Sequence, residues 1–247
     1  MSRYCLILVL LLSLIRTSAG AEPKVAAPLQ VLFIGNSYSF NVPGMFAKIA
    51  RSMGKPVAVE QVTKGGWTLA KHAASPETRK MIASRNWDFI ILQEQSQIPS
   101  SRDAEARMVP AAEQLHELAT ESGAELVYFE TWGRRDGDVR NVKGDTFEEM
   151  QKRLTRGYGA TRDATGGRLV PVGQVWGELR RKEFWAEDGS HPSKSGAYLA
   201  ACVFYSFLVG ASPEGADYRS SLDAGLAKEL QQGAWKRAEL EPESKKS

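Results

Sequence analysis

The chain has 247 residues, 43% of them hydrophobic, with 32 basic and 29 acidic side chains and a formal net charge of +3. Charge this close to balance, with the basic residues scattered and no aromatic–basic stripe, leaves no footprint for nucleic acid. Of the two cysteines, Cys5 falls in a leader segment and Cys202 stands alone in the apolar run from Tyr198 to Val209, so neither an intrachain disulfide nor a cysteine-based zinc site is expected.

The leader comes first in chain order. Arg3, the apolar stretch from Leu6 to Ile15 broken only by Ser13, and Ala19-Gly20-Ala21 read together as a secretory signal peptide cut after Ala21. Its apolar part is too short to span a bilayer. No cysteine stands at the cut to carry a lipid, so the mature chain is expected to be secreted or periplasmic, without a stable membrane anchor. Loss of Arg3 and Arg16 brings its net charge to +1. Residues 22–240 are expected to form a single domain, and the polar segment 241–247 a disordered tail.

Within that domain, five apolar runs read as strands: Gln30–Ile34, Val57–Val62, Trp87–Leu92, Glu125–Phe129 and Leu169–Val172. Most are near-continuous rather than alternating, as in a parallel sheet covered on both faces. Helical segments fall between them. Asn41 and Pro43 open the first, which runs to Met53. Pro76–Ser84 follows, then Asp103–Ser122, in which Pro110 is expected to give a kink or a late start. Asp145 reads as the cap of a helix running toward Thr165; Gln174–Lys182, Ser193–Val209 and Leu222–Leu240 complete the set. The alternation predicts an α/β fold of three layers around a five-stranded, parallel, doubly wound sheet of flavodoxin-like type.

In such sheets ligands bind beyond the carboxyl ends of the strands. Ser37, Gly65-Gly66, Gln93 to Ser96 and Thr131-Trp132 each follow a strand end, so they are expected on one rim. The loop Asp188-Gly189-Ser190-His191 precedes the last core helix and can reach the same rim. A serine hydroxyl, a neutral imidazole and a carboxylate are the three parts of an activated nucleophile: the histidine takes the serine proton and the acid fixes its tautomer. Read without their partners, Ser37 is a turn serine and Asp188 a capping residue. Among the other histidines, His116 reads as solvated and His72 as a supporting residue near the site. Trp67, Trp132 and Trp185 lie close in sequence to the candidate residues. Their aromatic faces suit stacking on sugar rings, though core packing accounts for any one of them as well. Arg134 to Asp138 reads either as a rim element or as a solvated turn.

These blocks resemble the SGNH hydrolases, the GDSL esterase/lipase superfamily. That family places Gly-Asp-Ser after its first strand, a glycine after the second, Gly-x-Asn-Asp after the third and Asp-x-x-His near the end. The corresponding segments are Gly35-Asn36-Ser37, Gly65-Gly66, Gln93-Glu94-Gln95-Ser96 and Asp188 to His191, in the same order over nearly the whole mature chain. Asparagine replaces the first-block aspartate, and glutamines replace the third-block asparagine. The Gly-Asn-Ser and Leu-Gln-Glu-Gln-Ser pair resembles a bacterial branch of the superfamily.

The resemblance implies Ser37 as nucleophile, His191 as base and Asp188 as its orienting acid. It implies an oxyanion hole from the backbone N–H groups of Ser37 and Gly66 plus a side-chain amide, Gln95 by register or Gln93 in its place. No metal or cofactor is required. The implied substrate is a small-molecule or carbohydrate ester, an O-acetyl ester first. A non-catalytic carbohydrate-binding protein and a lipase or thioesterase for longer acyl chains are the alternatives.

Overall fold

The computed structural model describes residues 27–240; the expected signal peptide and the expected tail 241–247 lie outside them. Five parallel strands are present, β1 (Leu29–Gly35), β2 (Val57–Thr63), β3 (Phe89–Leu92), β4 (Glu125–Phe129) and β5 (Arg168–Val170), in the order β2-β1-β3-β4-β5. This is the expected doubly wound α/β sheet. Strand order reverses at β1, which pairs with β2 on one side (Val31 opposite Val59) and β3 on the other (Val31 opposite Phe89). The crevice at the carboxyl ends of β1 and β3 is therefore the switch point, where such sheets place a site.

Side-chain alternation sorts the sheet into two cores. Val31 and Phe33 of β1, Ile91 of β3, and Val127 and Phe129 of β4 pack on one face. That face is covered by α1 (Val42–Ser52), α6 (Val172–Leu179), α7 (Lys194–Phe204) and α8 (Ala224–Leu240). The intervening residues Leu32, Ile34, Ile90, Leu92, Leu126 and Tyr128 pack on the other face, beneath α2 (Leu69–Ala73), α3 (Pro76–Ile82) and α4 (Ala104–Glu121). Helix α5 (Phe147–Thr165) spans the two, with Phe147 in the first core and Tyr158 in the second. Both faces of the central strands are thus dry, which is why they read as unbroken apolar runs. No helix among the described residues is long and apolar enough to cross a membrane.

Three local differences from the sequence reading have physical causes. The cap of α5 is Thr146, which accepts from Glu149 N; Asp145 instead takes a bidentate pair from Arg153 (3.0 and 2.6 Å) and the backbone N–H of Asp138. Pro110 is tolerated inside α4 rather than delaying its start. The last core helix changes pitch at Tyr205–Val209, a π-helical turn closed by left-handed Gly210. Cys202 is buried and free, and its burial raises the thiol pKa, so it packs as a small apolar residue.

Two interior carboxyls give the fold a pH dependence. Burial pushes both Glu94 and Glu130 up to about 7, against hydrogen bonds that oppose the shift. The native state therefore holds protons between the ordinary carboxyl range and pH 7 that the unfolded chain has already released, and stability falls as pH rises through that window. His72, lowered by burial, works the other way and costs stability below about pH 6.5. Thermal melts are expected to be several degrees higher at pH 6.5 than at pH 8. Each carboxyl contributes about 1 kcal/mol to that difference, or roughly 2–4 °C in Tm. In Glu94→Gln the difference should shrink by about half, because one oxygen of Glu94 already accepts from both Leu69 N and Gln95 N and an amide can do the same. An unchanged difference would overturn this assignment.

Candidate active site

Ser37 sits two residues beyond β1, in a turn held from three sides. Gln93, fully buried at the end of β3, accepts from Asn36 N (2.9 Å) and Ser39 Oγ (3.0 Å) through its Oε1. The Asn36 side chain donates to Trp67 O (3.0 Å) in the second rim loop and accepts from Tyr38 N. His72 supports the turn from below: its Nε2–H donates to the Gly35 carbonyl (2.8 Å), and its Nδ1 meets Thr78 Oγ1. Burial lowers the His72 pKa and keeps the ring neutral. A β-carbon on Gly35 would stand 2.6 Å from Gln93 Oε1 and 3.0 Å from Ser39 Oγ. Gly35→Ala is accordingly expected to cost about 1–3 kcal/mol and to lower turnover, both readable from a melt and an ester assay.

The Asp188–His191 loop reaches this turn. Ser37 Oγ lies 2.8 Å from His191 Nε2, and His191 Nδ1 lies 2.5 Å from Asp188 Oδ2. An ionised carboxylate only accepts, so Nδ1 carries the proton and Nε2 accepts from the serine hydroxyl. Asp188 Oδ1 takes the backbone N–H groups of Ser190 (2.9 Å) and His191 (3.0 Å), which fixes the loop around its own acid. Burial alone would raise Asp188, but the His191 ring and these backbone bonds outweigh it and hold the carboxyl below its ordinary range. The His191 and Asp188 side chains remain 45% and 49% exposed, so the site is open to a large substrate.

Two backbone donors are free at this point. Neither Ser37 N nor Gly66 N has a hydrogen-bond partner among the described residues. Gly66 is left-handed (φ +67°) in a turn closed by Trp67 N donating to Lys64 O, a conformation that favours glycine. Gln95 lines the rim with its Oε1 bound to Gln97 N (2.9 Å), while its Nε2 has only a long 3.5 Å contact to Gln97 Oε1 and keeps donor capacity. Gln93 is a correction. Its Nε2 donates to the Glu94 carbonyl and its Oε1 holds the Ser37 turn, so its amide is consumed in the interior rather than offered to an oxyanion.

The tryptophans require a second correction. Trp132 is fully buried and Trp185 nearly so, so neither offers a face to a sugar. They hold the histidine loop instead. Trp132 stacks between Tyr38 (5.0 Å, 3° between planes) and Trp176 (4.1 Å, 8°) and donates from Nε1 to Ser190 O (3.1 Å). Trp185 donates to Gly133 O (3.0 Å) and bridges to Pro192. Trp67 is half-buried over His72, with Lys64 against its ring.

Three residues at the site were not singled out from the sequence, or were left undecided by it. Tyr38 presents a ring edge to His191 (5.3 Å) and its hydroxyl bonds Ser190 Oγ (2.6 Å). Its position directly after the candidate serine was the available signal. Arg134 and Arg135 form a rim element: Arg135 N donates to Gly189 O (2.8 Å), and Arg134 pairs with Asp138 (3.5 Å).

A hydroxyl, an imidazole and a carboxylate in hydrogen-bonded series, at the switch point of a parallel sheet and beside unbonded backbone donors, define the serine-nucleophile class of hydrolase. Solved structures agree in fold. A protein from Slackia heliotrinireducens assigned to the SGNH hydrolases is 28% identical over 71% of this chain and 96% of its own, with a TM-score of 0.62. A DUF4886 family protein from Bacteroides uniformis is 19% identical over 87% of this chain and 96% of its own, with a TM-score of 0.73. An acetyl-xylooligosaccharide esterase variant from Geobacillus is 14% identical over 74% of this chain and 95% of its own, with a TM-score of 0.53. No protein-family model and no curated protein matches the chain. In fold and in the order of its site residues the chain is similar to the SGNH (GDSL) hydrolase superfamily.

Proposed function

We propose that the protein is a secreted or periplasmic serine esterase that removes small acyl groups, acetyl first, from a carbohydrate ester. The observation that carries the chemistry is the Ser37–His191–Asp188 chain at 2.8 and 2.5 Å beside two unbonded backbone donors. Ser37 Oγ attacks the ester carbonyl as His191 Nε2 takes its proton. Asp188 stabilises the imidazolium and holds its orientation. The carbonyl oxygen becomes an oxyanion bound by Ser37 N, Gly66 N and the Gln95 amide, a set in which each donor is worth about 10²–10³ in rate. His191 then returns the proton to the leaving alcohol. Water, deprotonated by the same imidazole, releases the acyl group from Ser37.

Support for the substrate is of two kinds. The half-exposed histidine and aspartate suit a polymer or a bulky alcohol better than a buried chain, and one structural neighbour is an acetyl-xylooligosaccharide esterase. Support for export is the leader-like segment ending at Ala21. The test is covalent labelling of the folded protein with a fluorophosphonate, followed by peptide mapping. Label on Ser37 that is lost in His191→Ala is the expected result. Absence of label, with glycan binding retained, would favour the non-catalytic binding protein. An activity profile rising from acetyl to octanoyl esters would favour a lipase or thioesterase.

A further inference from the structure

A cavity of about 910 Å³ opens between the loop that follows β3, whose Gln93 holds the Ser37 turn, and the loop around residue 142. Its lining includes Gln95 and Gln97, two and four residues beyond Gln93, and Asp138, which meets Arg134 (3.5 Å) in the loop after β4. Four cations line it, Arg102, Arg107, Lys143 and Arg153, against one carboxylate, Asp138. The carboxylate is already spent on Gln97 Nε2 (2.9 Å), Asn141 Nδ2 (2.9 Å) and Arg134. Arg153 is spent as well, on Asp145 and the Ser100 carbonyl.

The other three cations are not. Arg102 and Lys143 have no hydrogen bond or ion pair among the described residues, and Arg107 has a loose contact to Asp103 at 3.9 Å and a longer-range attraction to Glu94. Three positive groups with no close hydrogen-bonded partner, around a cavity far larger than an acetyl group and lined also by amide and hydroxyl groups, fit the alcohol part of an ester and a negative charge on it. Resting on the esterase reading, we propose that this cavity is a specificity subsite for an anionic substituent on the acylated glycan, with Arg102, Arg107 and Lys143 binding its oxygens. The shared chemistry is an oxyanionic group on the sugar, a uronate carboxylate or a sulfate ester. Each exposed cation contributes modestly, and clustering three of them raises both local substrate concentration and its retention.

The test compares kcat/KM on acetylated uronate oligosaccharides, acetylated sulfated oligosaccharides and acetylated neutral xylo-oligosaccharides, with p-nitrophenyl acetate hydrolysis by the wild-type protein measured alongside. At low salt one acidic series is expected to exceed the neutral one by about 10-fold or more, chiefly through KM, with the gap closing as salt is raised. Which acidic series leads identifies the source of the charge. In the triple variant Arg102→Gln, Arg107→Gln, Lys143→Gln, the acidic-to-neutral ratio should fall toward one. A melt establishes that the variant is folded. Calorimetry with non-acylated trigalacturonate and with a sulfated trisaccharide on Ser37→Ala protein provides a binding readout that needs no turnover, and the triple substitution should abolish the signal. Equal handling of acidic and neutral substrates by a protein that cleaves p-nitrophenyl acetate would overturn the subsite. Failure to cleave p-nitrophenyl acetate or any acetylated glycan, with anionic trisaccharide binding intact, would overturn the esterase reading and leave the subsite standing.

Discussion

Replacing Ser37 by alanine is expected to reduce ester turnover by at least about 10⁴-fold while leaving the melting temperature nearly unchanged. The hydroxyl's hydrogen-bond partner is His191, and the turn around it is held by Asn36, Gln93 and His72 rather than by Ser37 itself. The loss should therefore be chemical, not structural. His191→Ala should cost about as much, and the double variant little more, because a nucleophile and its base act as one unit. Asp188→Asn is the subtler member. Its carbonyl oxygen can keep the two backbone bonds, but its amide would face Nδ1 with a donor. The imidazole would then switch tautomer and turn an N–H toward Ser37, so a loss of about 10⁴-fold in kcat is expected. Retention of more than a few per cent of kcat in Ser37→Ala would remove the serine mechanism altogether.

The strands were legible because burial on both faces of a parallel sheet forces a continuous apolar run, and β1, β3 and β4 carry that run without interruption. Helix α2 was not legible: five residues, one of them His72, are too few to set a period, and what holds it is Thr68 capping and contact with the core. The cap of α5 went to Thr146 rather than Asp145 because Arg153 and the Asp138 N–H, distant partners invisible to local pattern, claim the carboxylate.

The site divides in the same way. Ser37, Asp188 and His191 could be placed together because strand ends share a rim and a four-residue loop holds acid and base at a fixed spacing. The glutamines could not be ranked so simply. Gln93 and Gln95 both follow β3, yet the first turns into the interior and carries the nucleophile's turn, while the second faces the rim cavity. Closeness in sequence to a reactive residue says nothing about which way a side chain points. The tryptophans misled for that reason.

Trp132 is where that difference has its largest measurable consequence. Its indole lies sandwiched between Tyr38 and Trp176, fully buried, with Nε1 on the carbonyl of Ser190, the residue immediately before His191. Trp132→Ala should cost about 3–5 kcal/mol, a typical loss for a buried tryptophan. Trp132→Phe separates the two roles. It keeps an aromatic ring in the stack but withdraws the hydrogen bond, leaving the Ser190 carbonyl without that donor at a cost of about 1–3 kcal/mol. The histidine loop is then less firmly registered against Ser37, and because general-base catalysis depends on that separation, kcat should fall by roughly 10-fold with KM little changed. A platform that stacked on substrate would behave oppositely, raising KM for a carbohydrate ester while sparing kcat and the melting temperature. The split between kcat and KM in Trp132→Phe therefore decides whether the tryptophan serves the base or the ligand, and its burial argues that it serves the base.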